Sequence, residues 1–359
     1  MPLFGPRYAV LLAFALSACG SDEATGRSDS PAAVEPCTPD TCVPETLAAG
    51  LYMPGAIAVD DTNVYYSDQT SVVAIPLAGG APLSLAPGQG LPTSLALEDG
   101  RLYWTNFTEG TVRSVPVAGG TSTVLVSGQS YPQFVAVAAG EVYWVNSPGY
   151  PDTVSVVPQE GGETVILYST SNSIDSIAAD ASGAYFTVGG DPGSPDAGML
   201  VHASPSGDEI VTLADEQSSP HDVVVRDGQL YWVTGEQLNE QTLLTMPATG
   251  GTPTALATAL GISALAVDDS DAYFATAATN PDPNGSLSWL PLAGGEPNVL
   301  VAGVSLVSGI ALDRDFVYWI DAGPLLEQFA GTVMRVRKSR PTSSARPQSQ
   351  PLASLRLAP

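Results

Sequence analysis

The chain has 359 residues, of which 44% are hydrophobic and 14% charged, with 36 glycines and 31 prolines. This composition suits a soluble all-β body and leaves little room for long helices laced with charged pairs. A formal net charge of −25 repels phosphate backbones and excludes nucleic acid as a partner. It favours solubility, cationic partners or divalent ions, while a plain solvated acidic surface accounts for it equally.

At the start of the chain, Arg7 precedes an apolar run over residues 8–16, followed by Ser17, Ala18, Cys19 and Gly20. The run is too short to span a bilayer as a mature helix and reads as a targeting segment. Leu16-Ser17-Ala18-Cys19 resembles the bacterial lipobox. That resemblance implies a signal peptide over residues 1–18, cleavage before Cys19, acylation of its thiol and a lipid-anchored place in the cell envelope. The alternative is an ordinary secretory signal with an incidental cysteine. In lipoproteins an aspartate after the cysteine retains the protein at the inner membrane; Gly20 stands there instead, which implies the outer membrane.

Residues 19–44 are polar, contain proline and lack apolar periodicity, which predicts a flexible tether whose ends lie roughly 25–30 Å apart. Within it Cys37 and Cys42 are the only cysteines besides Cys19. An exported compartment permits a disulfide between them, and such a short loop would add local rigidity. Two thiols alone are a poor metal site.

From residue 45 the chain is repetitive. Aromatic pairs recur at Tyr65-Tyr66, Tyr103-Trp104, Tyr143-Trp144, Tyr185-Phe186, Tyr231-Trp232, Tyr273-Phe274 and Tyr318-Trp319, their first tyrosines 38, 40, 42, 46, 42 and 45 residues apart. This period suits four strands per unit. About eight residues before each pair lies a small, branched apolar triplet such as Ile57-Ala58-Val59 or Leu95-Ala96-Leu97, the pattern of a crowded innermost strand. After the third strand come a proline and a Gly-Gly turn, as at Pro76, Gly79 and Gly80; the fourth unit keeps only Pro205 and Gly207. The predicted fold is a seven-bladed β-propeller of four-stranded antiparallel blades over residues 45–338. The seventh unit lacks a fourth strand. Residues 45–50, which resemble the fourth strand beginning at Ser84, are expected to supply it and close the ring. Residues 339–359 read as a disordered basic tail: six of the twelve basic residues lie from Arg335 onward, with no acidic residue among them.

In such a blade the connections from strand two to three, and from blade to blade, open on one face. Here the two-to-three connections of units three to seven are long, and length variation on one rim is where binding usually resides. His221-Asp222 opens the innermost strand of unit five, where a side chain can reach the mouth of the central channel. The two could act as a general base with its orienting carboxylate, or simply fill the channel. Together with Gln133 and Asp175 they form the candidate ligand-binding set. No catalytic elbow and no His-x-x-x-His pair occurs, and with two histidines a three-histidine metal site cannot form. Residues 191–196 and 280–285 concentrate carboxylate and amide oxygens suited to Ca2+, although Asx and proline turns explain the same residues. No other cofactor is indicated.

Leu102-Tyr103-Trp104-Thr105-Asn106 and Val317-Tyr318-Trp319-Ile320-Asp321 resemble the YWTD repeats of lipoprotein-receptor propellers and, more loosely, NHL repeats. The final aspartate survives only as Asp68 and Asp321, and YWTD propellers generally have six blades where seven are counted here. The resemblance implies a module that binds proteins or ligands. The expected function is therefore a monomeric, membrane-anchored, non-catalytic binding or scaffolding propeller with a protein or ligand on its long-loop rim. The alternative is an extracytoplasmic lyase or hydrolase working near His221.

Overall fold

The computed structural model describes residues 43–148, 151–190, 194, 197–236, 239–277, 285–323 and 330–338. The signal peptide, Cys19, Cys37, Cys42 and the basic tail lie outside these residues. The regular elements are 28 strands in seven four-stranded antiparallel sheets, six of them built from four consecutive strands. In blade two these are Pro92–Glu98, Arg101–Asn106, Thr111–Pro116 and Thr123–Val126. The first strand of each blade is innermost: Ile57–Val59, Pro92–Glu98, Pro132–Ala138, Ile174–Asp180, His221–Arg226, Ile262–Val267 and Val307–Leu312 each touch the next, and the last touches the first.

The small residue of each inner strand has a steric reason. Across the antiparallel ladder Tyr65 faces Ala58, Tyr103 faces Ala96, Tyr143 faces Ala136, Tyr185 faces Ala178, Tyr273 faces Ala266 and Tyr318 faces Ala311. Directly opposed residues share a face, so a methyl group leaves room for the phenol ring where blades converge. Only blade five departs, with Val224 opposite Tyr231.

Neighbouring residues of a strand point to opposite faces of the sheet, so each aromatic pair serves two blade interfaces. Tyr65 packs with Trp104, Tyr103 with Trp144, Tyr143 with Phe186, Tyr185 with Trp232, Tyr231 with Phe274, Tyr273 with Trp319, and Tyr318 with Tyr66. Each of the seven apolar clusters fills one blade-to-blade interface, and the last closes the circle.

The first strand completes the ring as the repeat count requires. Glu45–Leu51 pairs antiparallel with Gly331–Arg337, Glu45 opposite Arg335 and Leu51 opposite Gly331, completing blade seven. Leu51 is buried, and Leu47 and Ala48 pack on the cluster between blades seven and one. Arg335 Nε donates to Glu45 Oε2 at 2.5 Å on the same edge.

Two further recurrences brace the blades. Trp104, Trp144 and Trp232 each donate their indole N–H to a glutamine fifteen residues earlier, Gln89, Gln129 and Gln217, at 3.0–3.1 Å. In blade seven Val304 occupies that place, and the buried Trp319 Nε1 has no partner among the described residues. The tyrosines of blades one, four and seven donate to an aspartate five residues earlier: Tyr65 to Asp60, Tyr185 to Asp180, Tyr318 to Asp313. In blade six the equivalent Asp268 instead accepts from Lys338 Nζ at 2.5 Å, and that ammonium sits 5.2 Å from the centre of the Tyr273 ring. Lys338, whose side chain is 4% exposed, thus ties the end of blade seven to blade six.

Two outcomes follow from this closure. A chain truncated through Val43 should melt like the intact propeller, whereas one truncated through Leu51 exposes the edge of Gly331–Arg337 and the apolar surface beneath Leu47 and Leu51. Each large aliphatic side chain withdrawn from a core costs roughly 2–5 kcal/mol, and an open edge pairs with other chains. Melting curves and sizing chromatography of the two truncations should therefore differ sharply; identical profiles would disprove the closure. The second outcome concerns Lys338→Met. Burial raises the Asp268 carboxyl, but hydrogen bonds from Lys338, Ser270 and Asp271 outweigh it and hold the group below its ordinary 3.8. A depressed carboxylate adds stability that is full above the unfolded value and drains as pH falls through the folded one. Lys338→Met should cost about 3 kcal/mol at pH 7, the lower end for breaking a buried pair, and the gap to wild type should narrow below about pH 4. Urea titrations at several pH values measure both.

Candidate functional site

The two-to-three and blade-to-blade connections share one face. The short two-to-three loops of blades one and two, residues 68–70 and 107–110, are described in full. The long rim expected on blades three to seven falls largely outside the described residues, which omit 149–150, 191–193, 195–196, 237–238, 278–284 and 324–329. Of the two oxygen-rich loops considered for Ca2+, only Ser194 and Gly285 are described. Among the described residues no group of three or more His, Cys, Asp or Glu is placed to hold a metal ion.

Ten residues before each blade's tyrosine, at or beside the start of the inner strand, stand Gly55, Thr93, Gln133, Asp175, His221, Ser263 and Ser308. Hydroxyls of inner and second strands link neighbouring blades there. Thr93 and Thr105 donate to the Gln133 carbonyl at 2.8 and 3.0 Å, Ser94 Oγ accepts from Val135 N at 3.1 Å, and Ser176 Oγ accepts from Val223 N at 3.0 Å. The expected set occupies three successive blades and is engaged locally. The Gln133 side-chain amide donates to the Ser147 carbonyl, Asp175 accepts from Ser173 Oγ at 2.8 Å, and only His221 and Asp222 meet, Nδ1 to Oδ2 at 3.0 Å.

His221 has a second partner that sequence reasoning missed. Gln241, fully buried on the third strand of blade five, donates from Nε2 to His221 Nε2 at 3.0 Å and to the Gly235 carbonyl at 3.1 Å. The Gly235 carbonyl needs a donor, which turns the amide N–H group toward the imidazole. These partners assign the ring proton to Nδ1, where it is donated to Asp222. A general base needs a ring lone pair open to substrate, and here the accepting nitrogen faces a buried amide. In this arrangement the pair braces the inner strand, while Asp222, its side chain 26% exposed and its backbone at φ 52, presents the more accessible group.

A second feature of the face lies over blades two and three. The loop at residues 107–110 is held between two blade-to-blade connections: Phe107 N donates to Leu91 O, Thr108 N to Gly90 O, and Gln129 N to Gly110 O, at 2.9–3.1 Å. Two glycines permit this closeness. A Cβ on Gly90 would lie 2.4 Å from Glu109 Cγ, and one on Gly110 only 2.3 Å from the Gln129 carbonyl oxygen. The result is an open cleft of about 290 Å3 lined by residues 107–110 and 129–131. Phe107 and Tyr131 pack against each other in its lining, ring centroids 5.0 Å apart and planes inclined at 38°. Glu109 Oε2 accepts from Asn106 Nδ2 at 3.3 Å and lies 3.8 Å from Arg113, leaving Oε1 without a donor among the described residues.

Tyr131 is 45% exposed and sits at φ 53. That backbone position, twelve residues before the tyrosine, is left-handed in five blades, occupied elsewhere by Met53, Leu91, Ser219 and Gly261. A left-handed residue with a side chain costs roughly 1–2 kcal/mol relative to the ordinary helical region. Blade six shows that glycine fills the position without that cost, so a bulky exposed ring there is not required by the fold.

No family model matches the chain, and no curated protein matches it. Solved structures that do resemble it share its fold at low identity. Virginiamycin B lyase from Staphylococcus aureus is 14% identical with a TM-score of 0.61, the match covering 83% of this chain and 99% of that one. Oligogalacturonate lyase from Vibrio parahaemolyticus is 9% identical with a TM-score of 0.62, over 83% and 94% of the two chains. The computationally designed Ika8 protein is 14% identical with a TM-score of 0.56, over 82% and 98%. At such identities these likenesses speak for the propeller alone.

The bracing role of Gln241 is open to measurement. Gln241→Leu leaves the Gly235 carbonyl and His221 Nε2 without their donor and should cost about 1–3 kcal/mol in urea unfolding. In the unaltered protein the imidazole nitrogen shifts should report the Nδ1–H tautomer; an Nε2–H tautomer would refute the assignment.

Proposed function

We propose that the chain is an envelope lipoprotein whose propeller, built of YWTD-like or NHL-like repeats, binds a protein or other ligand on its loop-bearing face without catalysing a reaction. The observation that carries this reading is Tyr131, a large exposed side chain kept at a backbone position where a side chain costs energy and the fold does not need one. Such strain at an exposed site argues for a role outside the core. The state of His221 supports the same reading. A lyase or hydrolase at the channel mouth would need one of its ring nitrogens released from Asp222 or Gln241.

In this proposal Cys19 carries the acyl chains, residues 20–44 hold the propeller off the outer membrane, and the monomer meets its partner with the face that carries Tyr131. The negative body selects against nucleic acid and toward positively charged surfaces.

Two experiments test it. Cys19→Ser should move the protein from the membrane fraction to a soluble or uncleaved form, because a mature lipoprotein depends on its acyl chains for stable anchoring; a cleaved form that still sediments with membranes after a high-salt wash would overturn the anchor. A photo-crosslinking residue placed at Tyr131 should capture a discrete adduct in intact cells, while one at Ala118, in a Gly-Gly turn of the opposite face, should not. The same adduct from both positions, or none from Tyr131, would overturn the assignment of the face.

A further inference from the structure

We propose that the cleft over blades two and three takes a cationic side chain, a guanidinium or an ammonium, presented by a partner protein. This rests on the binding reading above and names the chemistry of its ligand. Three observations converge on it. Phe107 and Tyr131 form a tilted aromatic pair in the lining of the cleft, ring centroids 5.0 Å apart and planes inclined at 38°, and aromatic faces attract cations through their quadrupoles. Glu109 brings a carboxylate to the same cleft with Oε1 undonated among the described residues, held in place by Asn106 and by packing over Gly90. The chain as a whole is strongly acidic, with net charge −25 and, between residues 44 and 334, only Arg101, Arg113, Arg226 and Arg314 as basic side chains besides the two histidines; Arg113, 3.8 Å from Glu109 Oε2, is the one cation among the described residues already beside the cleft's carboxylate.

Other ligand classes fit less well. An anion meets the carboxylate and the overall field. A bare metal ion finds a single carboxylate, where a hard cation takes six or more oxygens. A neutral sugar can donate its hydroxyls to the carboxylate but gains nothing from the ring quadrupoles or from the chain's net negative charge. A cation gains from all three features, and the hydroxyls of Thr108 and Ser130 are oxygen acceptors for its remaining N–H groups.

The test uses three blocked pentapeptides, Gly-Gly-X-Gly-Gly with X as arginine, lysine or citrulline, titrated into the full propeller while the ring resonances of Phe107 and Tyr131 are followed by NMR. Citrulline matches arginine in shape and lacks its charge. The arginine or lysine peptide should bind saturably and weaken on raising salt, while the citrulline peptide should bind about tenfold more weakly or not at all. Tyr131→Gly should abolish the difference without lowering the melting temperature, since φ 53 suits glycine; Glu109→Gln should reduce it, and Tyr131→Phe should retain it. Equal binding of arginine and citrulline peptides, or binding indifferent to both Tyr131→Gly and Glu109→Gln, would overturn the inference. If the peptides fail while crosslinking at Tyr131 still captures a partner, the ligand class is wrong and the binding face stands. In the converse case, charge-selective peptide binding with no adduct in cells, the proposed function fails and the cleft's chemistry stands.

Discussion

The structure depends on one repeated arrangement, two consecutive aromatic residues on the second strand of every blade. Strand geometry sends the first ring to one side of the sheet and the second to the other. Each interface therefore receives a tyrosine from one blade and a Trp, Phe or Tyr from the next, as between Tyr103 and Trp144 or Tyr273 and Trp319. A sheet of four strands cannot bury two apolar faces by itself; it can do so only between two neighbours. The stability of each blade is thus conditional on the ring being complete, which is why the outer strand of blade seven has to come from residues 45–51. Without it Tyr318 and Tyr66 would share a cluster open at one edge.

The same constraint explains where polar groups occur in the core. A buried indole or phenol carries a donor that has to be satisfied. Gln89, Gln129 and Gln217 serve three of the four tryptophans on the second strands, and aspartates serve three of the tyrosines. Where the device is absent the donor has no partner among the described residues, as at the Trp319 indole and the buried Tyr143 hydroxyl. Burial and neighbouring carboxylates push the Tyr143 hydroxyl up to about 12, so it remains protonated under ordinary conditions. Lys338 is a variation on this theme: at Asp268 a lysine ammonium replaces the phenol donor and fastens the last strand to the preceding blade.

Much of this was legible in the sequence because it is periodic. The aromatic pairs recur at every blade, and the small residues before them and the Pro–Gly-Gly turns at most, and each recurrence has a steric cause, such as Ala96 lying opposite Tyr103. The Gln–Trp spacing of fifteen residues also recurs and could have been found by the same means. Gln241 could not. It lies twenty residues from His221 and in no repeated register, so nothing in the sequence says that its amide caps the imidazole. The cleft was invisible for a similar reason: it exists because Gly90 and Gly110 allow two connections to approach a third segment, and a glycine in a loop does not announce what it lets near. Loop length points to the long connections of blades three to seven, which lie largely outside the described residues, and the cleft at residues 107–110 arises at a short connection that length alone does not mark.

A fold in which every blade repeats the same solution leaves few positions free to differ, and those positions carry the information about function. The left-handed site before each inner strand is one of them. Its backbone is the same in five blades, so the fold's demand is the same, yet the residues there are Met53, Leu91, Tyr131, Ser219 and Gly261. Glycine meets the demand at no steric cost, which means the larger residues are not explained by closure, core packing or turn geometry. The exposed ring at Tyr131 stands beside a second ring and a carboxylate. It is the departure from the repeat that has acquired neighbours suited to a ligand, and for that reason it outweighs the channel mouth, where the polar side chains of Gln133, Asp175 and His221 are engaged with the protein itself.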